Sequence, residues 1–166
     1  AECVGPAAAR NHGVQAARGD IVFFVDADVC VQPDTLDRLV EAFGSDAGIT
    51  AVFGSYDLIP RANNILSQYK NLAHHFVHQN ARTEATTFWS GCGAIRRSVF
   101  LKMGGFDTSY GRPCIEDIEL GARLTNAGHR IIVRKDIQVT HLKCWTLWNL
   151  IKTDVFDRGV PWTELM

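Results

Sequence analysis

The chain has 166 residues, which fits one domain, and a domain of this length buries roughly 70% of the surface that its unfolded chain exposes. Hydrophobic residues make up 46% and charged residues 21%, proportions that exclude a disordered polymer, a collagen-like fibre and a coiled coil. With 17 Lys and Arg against 18 Asp and Glu, the net charge is −1, so the chain has no large basic field and we expect no nucleic-acid partner.

The predicted elements begin with a helix, a strand and a second helix. The Ala-rich residues 7–18, with Gly19 directly after them, predict a helix that ends at a C-terminal glycine. The unbroken apolar run Ile21–Val25 is too short for a helix and is typical of a strand covered on both faces in a parallel sheet. The helix expected after Pro33 is indicated by apolar residues at helical spacing, namely Leu36, Leu39, Val40 and Phe43.

The middle of the chain predicts a strand, a long helix and a short helix. Residues 49–53 are typical of a second strand, and residues 63–80 predict a helix with one polar face. The opposite face of that helix carries an apolar stripe made of Ile65, Tyr69, Leu72 and Phe76. Residues 86–95 mix β-formers with two glycines, and residues 97–103 predict a short helix that stops at a Gly-Gly pair.

The last third of the chain predicts a helix, a strand and a final helix. Glu116 and Asp117 suit the first turn of a helix, because carboxylates favour the positive end of the helix dipole. Residues 130–133 predict a strand, residues 138–140 a short β-like stretch, and residues from about 145 to 158 an amphipathic helix. Helices and strands therefore alternate along the chain, as they do in an α/β domain.

No repeat or linker interrupts this alternation, so we expect residues 1–166 to form a single domain. The chain starts at Ala1 rather than at Met and ends at Met166 directly after an aromatic-rich run, and we therefore expect a piece of a longer protein. The aromatic-rich residues 145–162 are compatible with packing on the domain, with lying on a bilayer and with leading into a transmembrane segment.

The cysteines and the apolar segments indicate a cytoplasmic chain. The cysteines are odd in number, widely spaced and without a CxxC pair, which supports neither a zinc knuckle nor a disulfide framework. They are Cys3, Cys30, Cys92, Cys114 and Cys144. Reduced thiols are typical of the cytosol. No apolar stretch approaches the roughly 20 residues that cross a bilayer, and no signal sequence opens the chain.

The strongest indication of chemistry is Asp26 and Asp28, which come just after the apolar strand. Ligands of open α/β sheets bind at the carboxyl ends of the strands. Two carboxylates one residue apart can face one hard cation, and Mg²⁺ or Mn²⁺ can then bridge to phosphate oxygens. An Asp that caps an ordinary strand-to-helix turn explains the tripeptide equally well.

Two further groups suit the same chemistry. A carboxylate at a helix N-terminus, such as Asp117, is expected to stay ionised and to accept a proton from a sugar hydroxyl. Complementation of the helix dipole, with a surface pair between Glu119 and Arg123, is the alternative explanation. His141 follows a β-like stretch, and a neutral imidazole is a common metal ligand, although a lone His is more often structural.

Taken in order, these segments resemble the inverting family 2 glycosyltransferases. The resemblance rests on Arg10, Asn11 and Gly13, then on ARGDIVFFVDADV, SGCGAIRRSVFLKMGGFD and EDIELGARLTNAGHRI, and covers roughly residues 5–141. It implies the GT-A fold, which is an α/β fold with a mixed, mostly parallel sheet flanked by helices. Its specificity lies in the combination of the segments rather than in any one of them.

The resemblance implies roles for the acidic residues and the histidine. Asp28 is implied to be the metal ligand, and Asp26 to reach the nucleotide ribose or the metal. Asp117 matches the proposed base of the family, with Glu116 as its neighbour and a second acceptor contact. His141 matches a position at which many relatives supply a further metal ligand.

The same resemblance implies contacts with donor and acceptor. Arg10 and Asn11 match a helix that borders the nucleotide pocket, although a solvated Arg beside a cap-like Asn explains them as well. Trp89, Gly91 and Gly93 match the acceptor side, where the Trp ring would face a sugar and the glycines would let the substrate approach the backbone. Core packing of Trp89 is the equal alternative.

The implied activity is metal-dependent, inverting transfer of a sugar from a UDP- or GDP-sugar to a hydroxyl group. The acceptor would be a glycan or lipid-linked molecule in polysaccharide, glycolipid or cell-envelope glycan synthesis. The implied location is cytoplasmic, which includes the cytoplasmic face of a membrane with peripheral association. The divalent metal would be Mg²⁺ or Mn²⁺.

Two departures from the family and two alternatives stand beside this interpretation. The strand, helix and strand that open the family's domain have no counterpart before Ala1, so we expect the domain to be truncated at its N-terminus. The QxxRW of processive synthases is absent around Arg158, which favours single addition. The alternatives are a nucleotide-sugar-binding module without activity and a haloacid-dehalogenase-type phosphatase, although Cys30 stands where that phosphatase family has Thr or Val.

Overall fold

The structure is a computed structural model and describes residues 5–165. Its helices are α1 Gly5–Ala16, α2 Thr35–Ser45, α3 Ile65–Asn80, α4 Arg97–Lys102, α5 Glu116–Asn126, α6 Leu147–Ile151 and α7 Val160–Leu165, with a π-helical stretch, Lys152–Gly159, between the last two. Its strands are β1 Ile21–Val25, β2 Val29–Val31, β3 Ile49–Tyr56, β4 Glu84–Ala85, β5 Cys92–Arg96 and β6 Arg130–His141. This alternation confirms the predicted α/β class.

The strands form one mixed sheet in the order β1-β5-β3-β6-β2, and β4 also pairs with β6. Only β3 and β6 pair in parallel among the described strands, and the other pairings are antiparallel. The mixed sheet is confirmed, but the prediction that it is mostly parallel is wrong. The apolar run of β1 suggested a central parallel strand, whereas β1 pairs in the described part of the chain with β5 alone, in antiparallel orientation, and is mostly half-buried.

Alternate residues of the central strands support two cores on opposite faces of the sheet. On one face, Phe24, Phe100 and Phe106 pack with ring centroids 5.2–5.6 Å apart, beneath α1 and α5. On the other face, Leu39 and Phe43 of α2 cover the sheet. Each such fully buried side chain contributes about 1.5–3 kcal/mol to folding. The two cores fix the strand ends at which the polar residues lie.

Helix α3 confirms the predicted helix, but the described structure turns its apolar stripe outward. Ile65 is 84% exposed and Phe76 66% exposed, and Tyr69 and Leu72 of the same stripe are also exposed. An apolar stripe ordinarily faces the core. The polar face of α3 packs on the sheet instead, where Asn71 is fully buried.

The reason lies in the pairing of β3 with β6, whose register shifts between Phe53 and Ser55. Such an irregularity disrupts the ladder locally and leaves backbone groups without strand partners. Side chains of α3 meet these carbonyls: His78 Nδ1 lies 3.0 Å from the oxygen of Gly54, and His75 Nδ1 lies 2.6 Å from the oxygen of Tyr56. The polar face of α3 therefore completes the hydrogen bonding of the sheet.

Other elements differ from the prediction in extent. The two expected stretches 130–133 and 138–140 belong to the single strand β6, since residues between them continue the strand past the register shift. The C-terminal helix begins at Leu147 and continues, through the π-helical stretch, to Leu165. No helix within residues 5–165 is long and apolar enough to span a bilayer.

Candidate active site

Three chain segments meet where Asp26 and Asp28 leave β1. The Asp26 N–H donates to the backbone oxygen of Gly91 at 3.2 Å. The Val29 N–H donates to the backbone oxygen of Asp26 at 3.1 Å, which closes a tight turn. The backbone carbonyl oxygen of Asp28 accepts from the Leu142 N–H at 2.8 Å. Both carboxylates are thus held between the start of β5 and the end of β6, at one edge of the sheet.

Arg10 of α1 joins the two acidic motifs. Its Nη2 donates to Asp26 Oδ1 at 2.7 Å, and its Nη1 donates to Glu116 Oε1 at 2.8 Å. The other Glu116 oxygen accepts from the Cys114 N–H at 2.9 Å, and Glu116 is only 4% exposed. Burial acts to lower the pKa of Arg10, but Asp26 and Glu116 together raise it. The guanidinium therefore bridges the two carboxylates, offsets one of their two negative charges and fixes the start of α5 against the end of β1.

Asn11 of α1 binds the backbone of Phe106, directly after the Gly-Gly turn. Its Nδ2 donates to the oxygen of Phe106 at 2.8 Å, and its Oδ1 accepts from the Phe106 N–H at 2.9 Å. Gly105 must be a glycine there, because a Cβ would lie 2.5 Å from Asn11 Oδ1 and the backbone has a φ of +74°. These two hydrogen bonds hold the Gly-Gly turn against α1, and the donor contact of Asn11 stays a prediction.

Asp117 lies in the first turn of α5 and faces the loop before β5. Its Oδ2 accepts from the N–H of Ser90 at 3.0 Å and from the Ser90 hydroxyl at 3.1 Å. Burial raises the pKa of Asp117, while the hydrogen bonds from Ser90 act to lower it. The expectation that the helix N-terminus alone governs this carboxylate is therefore incomplete. A raised pKa makes Asp117 a stronger proton acceptor once it is ionised.

Asp28 and His141 form the second polar pair of the site. His141 ends β6, is 4% exposed and stacks on Tyr56 with ring centroids 4.3 Å apart. Its Nε2 lies 3.7 Å from Asp28 Oδ2, and this contact lowers the pKa of Asp28. The Asp28 side chain is 42% exposed and opens toward solvent.

This pair fits a divalent cation, because a carboxylate oxygen and an imidazole nitrogen face each other across a short gap. Within the described residues, no three His, Cys, Asp or Glu side chains are gathered as a metal cluster. The predicted third ligand, Asp26, has its Oδ1 engaged by Arg10. The arrangement therefore offers two protein ligands, Asp28 and His141, and leaves the other positions of a cation to phosphate oxygens and water.

The segment around Trp89 packs against α3 and β3, with the Trp89 ring half-buried. The Trp89 ring lies 4.9 Å from the rings of both Tyr56 and His74. A Cβ on Gly91 would lie 2.5 Å from the Trp89 ring, and a Cβ on Gly93 would lie 2.3 Å from the Trp89 oxygen. The two buried glycines are small because Trp89 fills their space, and their contact with an acceptor stays a prediction. Core packing is the role that these contacts support for Trp89.

A small cleft of about 60 Å³ opens beside the two aspartates and is bordered by three cations. They are Lys70 of α3, Lys143 after β6 and Arg158 of the π-helical stretch. Lys70 pairs with Asp154, and Lys143 lies 4.1 Å from the centroid of the Trp145 ring. The sequence interpretation gave none of these cations a role. Basic residues shortly after His141 were the signal for Lys143, whereas no local pattern connects Lys70 with the site.

The fold is that of the GT-A glycosyltransferases. The family model described as "Glycosyltransferase like family 2" matches residues 1–156, and the chain belongs to that family. Membership of this family does not support the phosphatase alternative.

Known relatives agree with this assignment. The chain is 29% identical over 133 residues to the probable glycosyltransferase YdaM of Bacillus subtilis, across 76% of this chain and 31% of YdaM. It is 24% identical over 144 residues to the glucosyl-dolichyl phosphate glucuronosyltransferase of Haloferax volcanii, across 80% of this chain and 46% of the relative. The chain thus spans less than half the length of these relatives.

A solved structure shows the same fold with ligands bound. The mannosyltransferase PcManGT from Pyrobaculum calidifontis, in complex with GDP-Man and Mn²⁺, superposes with a TM-score of 0.59 and is 26% identical. The match covers 82% of this chain and 36% of the mannosyltransferase.

Proposed function

We propose that the site transfers a sugar from a UDP- or GDP-sugar to a hydroxyl group, with Mg²⁺ or Mn²⁺ and with inversion at the anomeric carbon. One observation carries the proposal: Arg10 binds both Asp26 and Glu116, so the metal-binding turn and the start of α5 lie at one edge of the sheet. A base and a place for a leaving diphosphate are thereby brought together.

The donor half consists of the Asp28–His141 pair and the cations of the cleft. Asp28 and His141 would hold a divalent ion, which when bound would supply Lewis-acid stabilisation to the departing diphosphate. Lys143 and Arg158, which border the same cleft, add positive charge for the phosphate oxygens. Asp26, already paired with Arg10, is left to meet the nucleotide ribose through its second oxygen.

The acceptor half consists of Asp117 and its neighbours. The acceptor oxygen forms a bond to the anomeric carbon while the bond from that carbon to the diphosphate breaks. The electron pair leaves on the diphosphate, and the hydroxyl proton passes to the Asp117 carboxylate. Ser90 holds one carboxylate oxygen by two hydrogen bonds, which orients Asp117 for this step. Attack opposite the leaving group inverts the anomeric configuration.

The relatives support the kinds of substrate. The solved mannosyltransferase binds GDP-Man and Mn²⁺, and the name of the Haloferax relative specifies a glucosyl-dolichyl phosphate as its substrate. We therefore propose a nucleotide-sugar donor and a glycan or lipid-linked acceptor in cell-envelope glycan synthesis. The reaction would take place in the cytoplasm or at the cytoplasmic face of a membrane.

The test uses the full-length protein with a panel of UDP- and GDP-sugars and glycan or lipid-linked acceptors. We expect transfer that EDTA abolishes and that Mn²⁺ or Mg²⁺ restores, with an inverted anomeric centre in the product by NMR. Transfer that is indifferent to EDTA would contradict the metal assignment, and a retained configuration would contradict the single displacement. Donor binding without transfer across the whole panel would favour the non-catalytic module.

A further inference from the structure

Tyr56, the last residue of β3, stacks on His141. The two rings lie nearly parallel, with centroids 4.3 Å apart and 13° between their planes. The contact follows from the register of the sheet, since Tyr56 pairs with Val139 of β6 and His141 lies two residues further along that strand. Because side chains alternate along a strand, Val139 and His141 lie on the same face of the sheet. Strand pairing therefore brings the two rings together.

The Tyr56 ring is itself held in place by its neighbours. Tyr56 is 8% exposed, although it borders the cleft beside the aspartates. The Trp89 ring meets the Tyr56 ring edge-on, with centroids 4.9 Å apart, and the His74 ring of α3 lies 4.7 Å from it. A ring enclosed in this way cannot turn away from His141 without moving its neighbours. Tyr56 is therefore a fixed flat surface for the imidazole.

The imidazole of His141 has few other contacts that would set its orientation. The torsion that rotates a histidine ring has broad energy wells, so it does not fix the plane of the ring by itself. A metal-binding histidine ordinarily donates a hydrogen bond from its second ring nitrogen to a carboxylate, a carbonyl or water. Within residues 5–165, His141 Nδ1 makes no hydrogen bond to another residue, and Nε2 lies 3.7 Å from Asp28 Oδ2. The stack on Tyr56 is thus the contact that sets the plane of the ring.

We propose that Tyr56 is a positioning residue of the metal site, whose ring holds the His141 imidazole in the plane in which Nε2 and the Asp28 carboxylate can bind one cation. This inference rests on the proposed function, because it takes Asp28 and His141 as the metal ligands. The ring carries the role, since the Tyr56 hydroxyl makes no hydrogen bond to the described residues. A Tyr56 that only filled the core would be replaceable, for the metal site, by any apolar side chain.

Mn²⁺ affinity tests this role, measured by isothermal titration of the full-length protein with UDP or GDP present. Tyr56→Leu removes the flat ring, so we expect the affinity to fall about 10–100-fold, as it does when a group that orients a metal ligand is lost. Tyr56→Phe keeps the ring and should stay within about threefold of the original affinity. If Tyr56→Leu does not fold, Tyr56→Met replaces it, because the flexible Met side chain fills more of the space without a flat face.

Phe43→Leu is the matched control. Phe43 is 5% exposed in the same core as Tyr56, and within the described residues its ring does not contact His141. The control should lower the Tm, as Tyr56→Leu does, and leave the Mn²⁺ affinity within about threefold of the original. A merely structural effect would move both variants alike.

Pulsed EPR of the bound Mn²⁺ gives a second readout, because the nitrogen of a coordinating imidazole modulates the spin echo. We expect this modulation in the original protein and in Tyr56→Phe, and its loss in His141→Gln. At saturating Mn²⁺, Tyr56→Leu should show a modulation at least about twofold weaker, since fewer imidazoles are oriented toward the ion.

The outcomes separate the inference from the proposed function. Normal Mn²⁺ affinity and echo modulation in Tyr56→Leu, with both lost in His141→Gln, would overturn the inference and leave the metal assignment intact. Equal losses in Tyr56→Phe and Tyr56→Leu would assign the effect to the hydroxyl, and equal losses in Phe43→Leu would assign it to the core; either result would overturn the inference. Unchanged Mn²⁺ binding in His141→Gln would contradict the metal assignment itself, and with it the ligand that Tyr56 positions.

Discussion

The two neighbouring aspartates of the site, Asp26 and Asp28, have different surroundings. Asp26 is bound by Arg10, which also binds Glu116, so its charge is compensated within the protein. Asp28 lies 3.7 Å from His141, and its side chain is 42% exposed against 35% for Asp26. Asp26 thus belongs to an ion-pair network with Arg10 and Glu116, which positions α5. Asp28 and His141 leave room for a ligand between them and the solvent. The difference supports our proposal that Asp28 would hold a cation, whereas Asp26 holds Arg10 and, through it, the start of α5.

Substitution of each aspartate in turn tests whether Asp28 binds the cation and Asp26 does not. We expect Asp28→Asn to reduce transfer by at least about 10³-fold and to abolish measurable Mn²⁺ binding, because stabilisation of the leaving charge is lost. Asp26→Asn should retain Mn²⁺ binding and weaken the donor complex instead. Isothermal titration of Mn²⁺ with nucleoside diphosphate present distinguishes the two. Equal loss of Mn²⁺ binding in both variants would contradict the division of labour.

Substitution of Arg10 tests the role of the ion-pair network with Asp26 and Glu116. Arg10→Gln leaves Glu116 buried without its cation and releases Asp26, so we expect a loss of about 10–100-fold in transfer, as for groups that orient a site. The loss should be mainly in kcat, with Mn²⁺ affinity within about threefold of the original. Arg38→Gln, which breaks an exposed ion pair on α2, is the matched control and should change neither value. Loss of Mn²⁺ binding in Arg10→Gln would show that the Arg10 network and the metal site are not separate.

Two buried imidazoles of α3, His74 beside the cleft and His78 one turn further on, give a smaller effect, on stability. Burial lowers the pKa of His78 to about 4, and it lowers the pKa of His74 as well. The unfolded chain then binds protons more readily than the folded chain, so stability is present above the ordinary histidine pKa and is lost as the pH falls below it. Between pH 7 and pH 5 we expect His78 to contribute a loss of about 1–2 kcal/mol.

Urea unfolding at the two pH values measures this loss. His78→Gln should remove part of the pH dependence, whereas His12→Gln, on the exposed side of α1, should leave it intact. An unchanged pH dependence in His78→Gln would show that the buried imidazole is not its source.

Much of the site was predictable because its residues stand at the ends of elements. An aspartate after an apolar strand, carboxylates at the start of a helix and a histidine at the end of a strand are local patterns, and the structure places all three at one edge of the sheet. The pairing of Arg10 with Asp26 and Glu116 was not predictable, since it joins segments 16 and 106 residues apart.

The outward stripe of α3 and the glycines at Trp89 show a different limit. Periodicity identifies the apolar face of a helix, but not whether the sheet below it needs hydrogen-bond donors, as β3 does at its register shift. Likewise, small residues such as Gly91 and Gly93 leave space without indicating what fills it. Glycines are expected in the sequence whether a substrate or the Trp89 ring occupies the space beside them, and in the structure the Trp89 ring lies there.

The central claim is that Asp117 accepts the proton of the acceptor. The most direct measurement compares Asp117→Asn with Asp107→Asn, an exposed aspartate ten residues earlier, in transfer rate and in binding of the nucleoside diphosphate with Mn²⁺. We predict that Asp117→Asn lowers transfer by at least about 10²-fold with nucleotide binding unchanged, because only the proton acceptor is removed. Asp107→Asn should keep both. Transfer by Asp117→Asn within about threefold of the original rate would contradict the account.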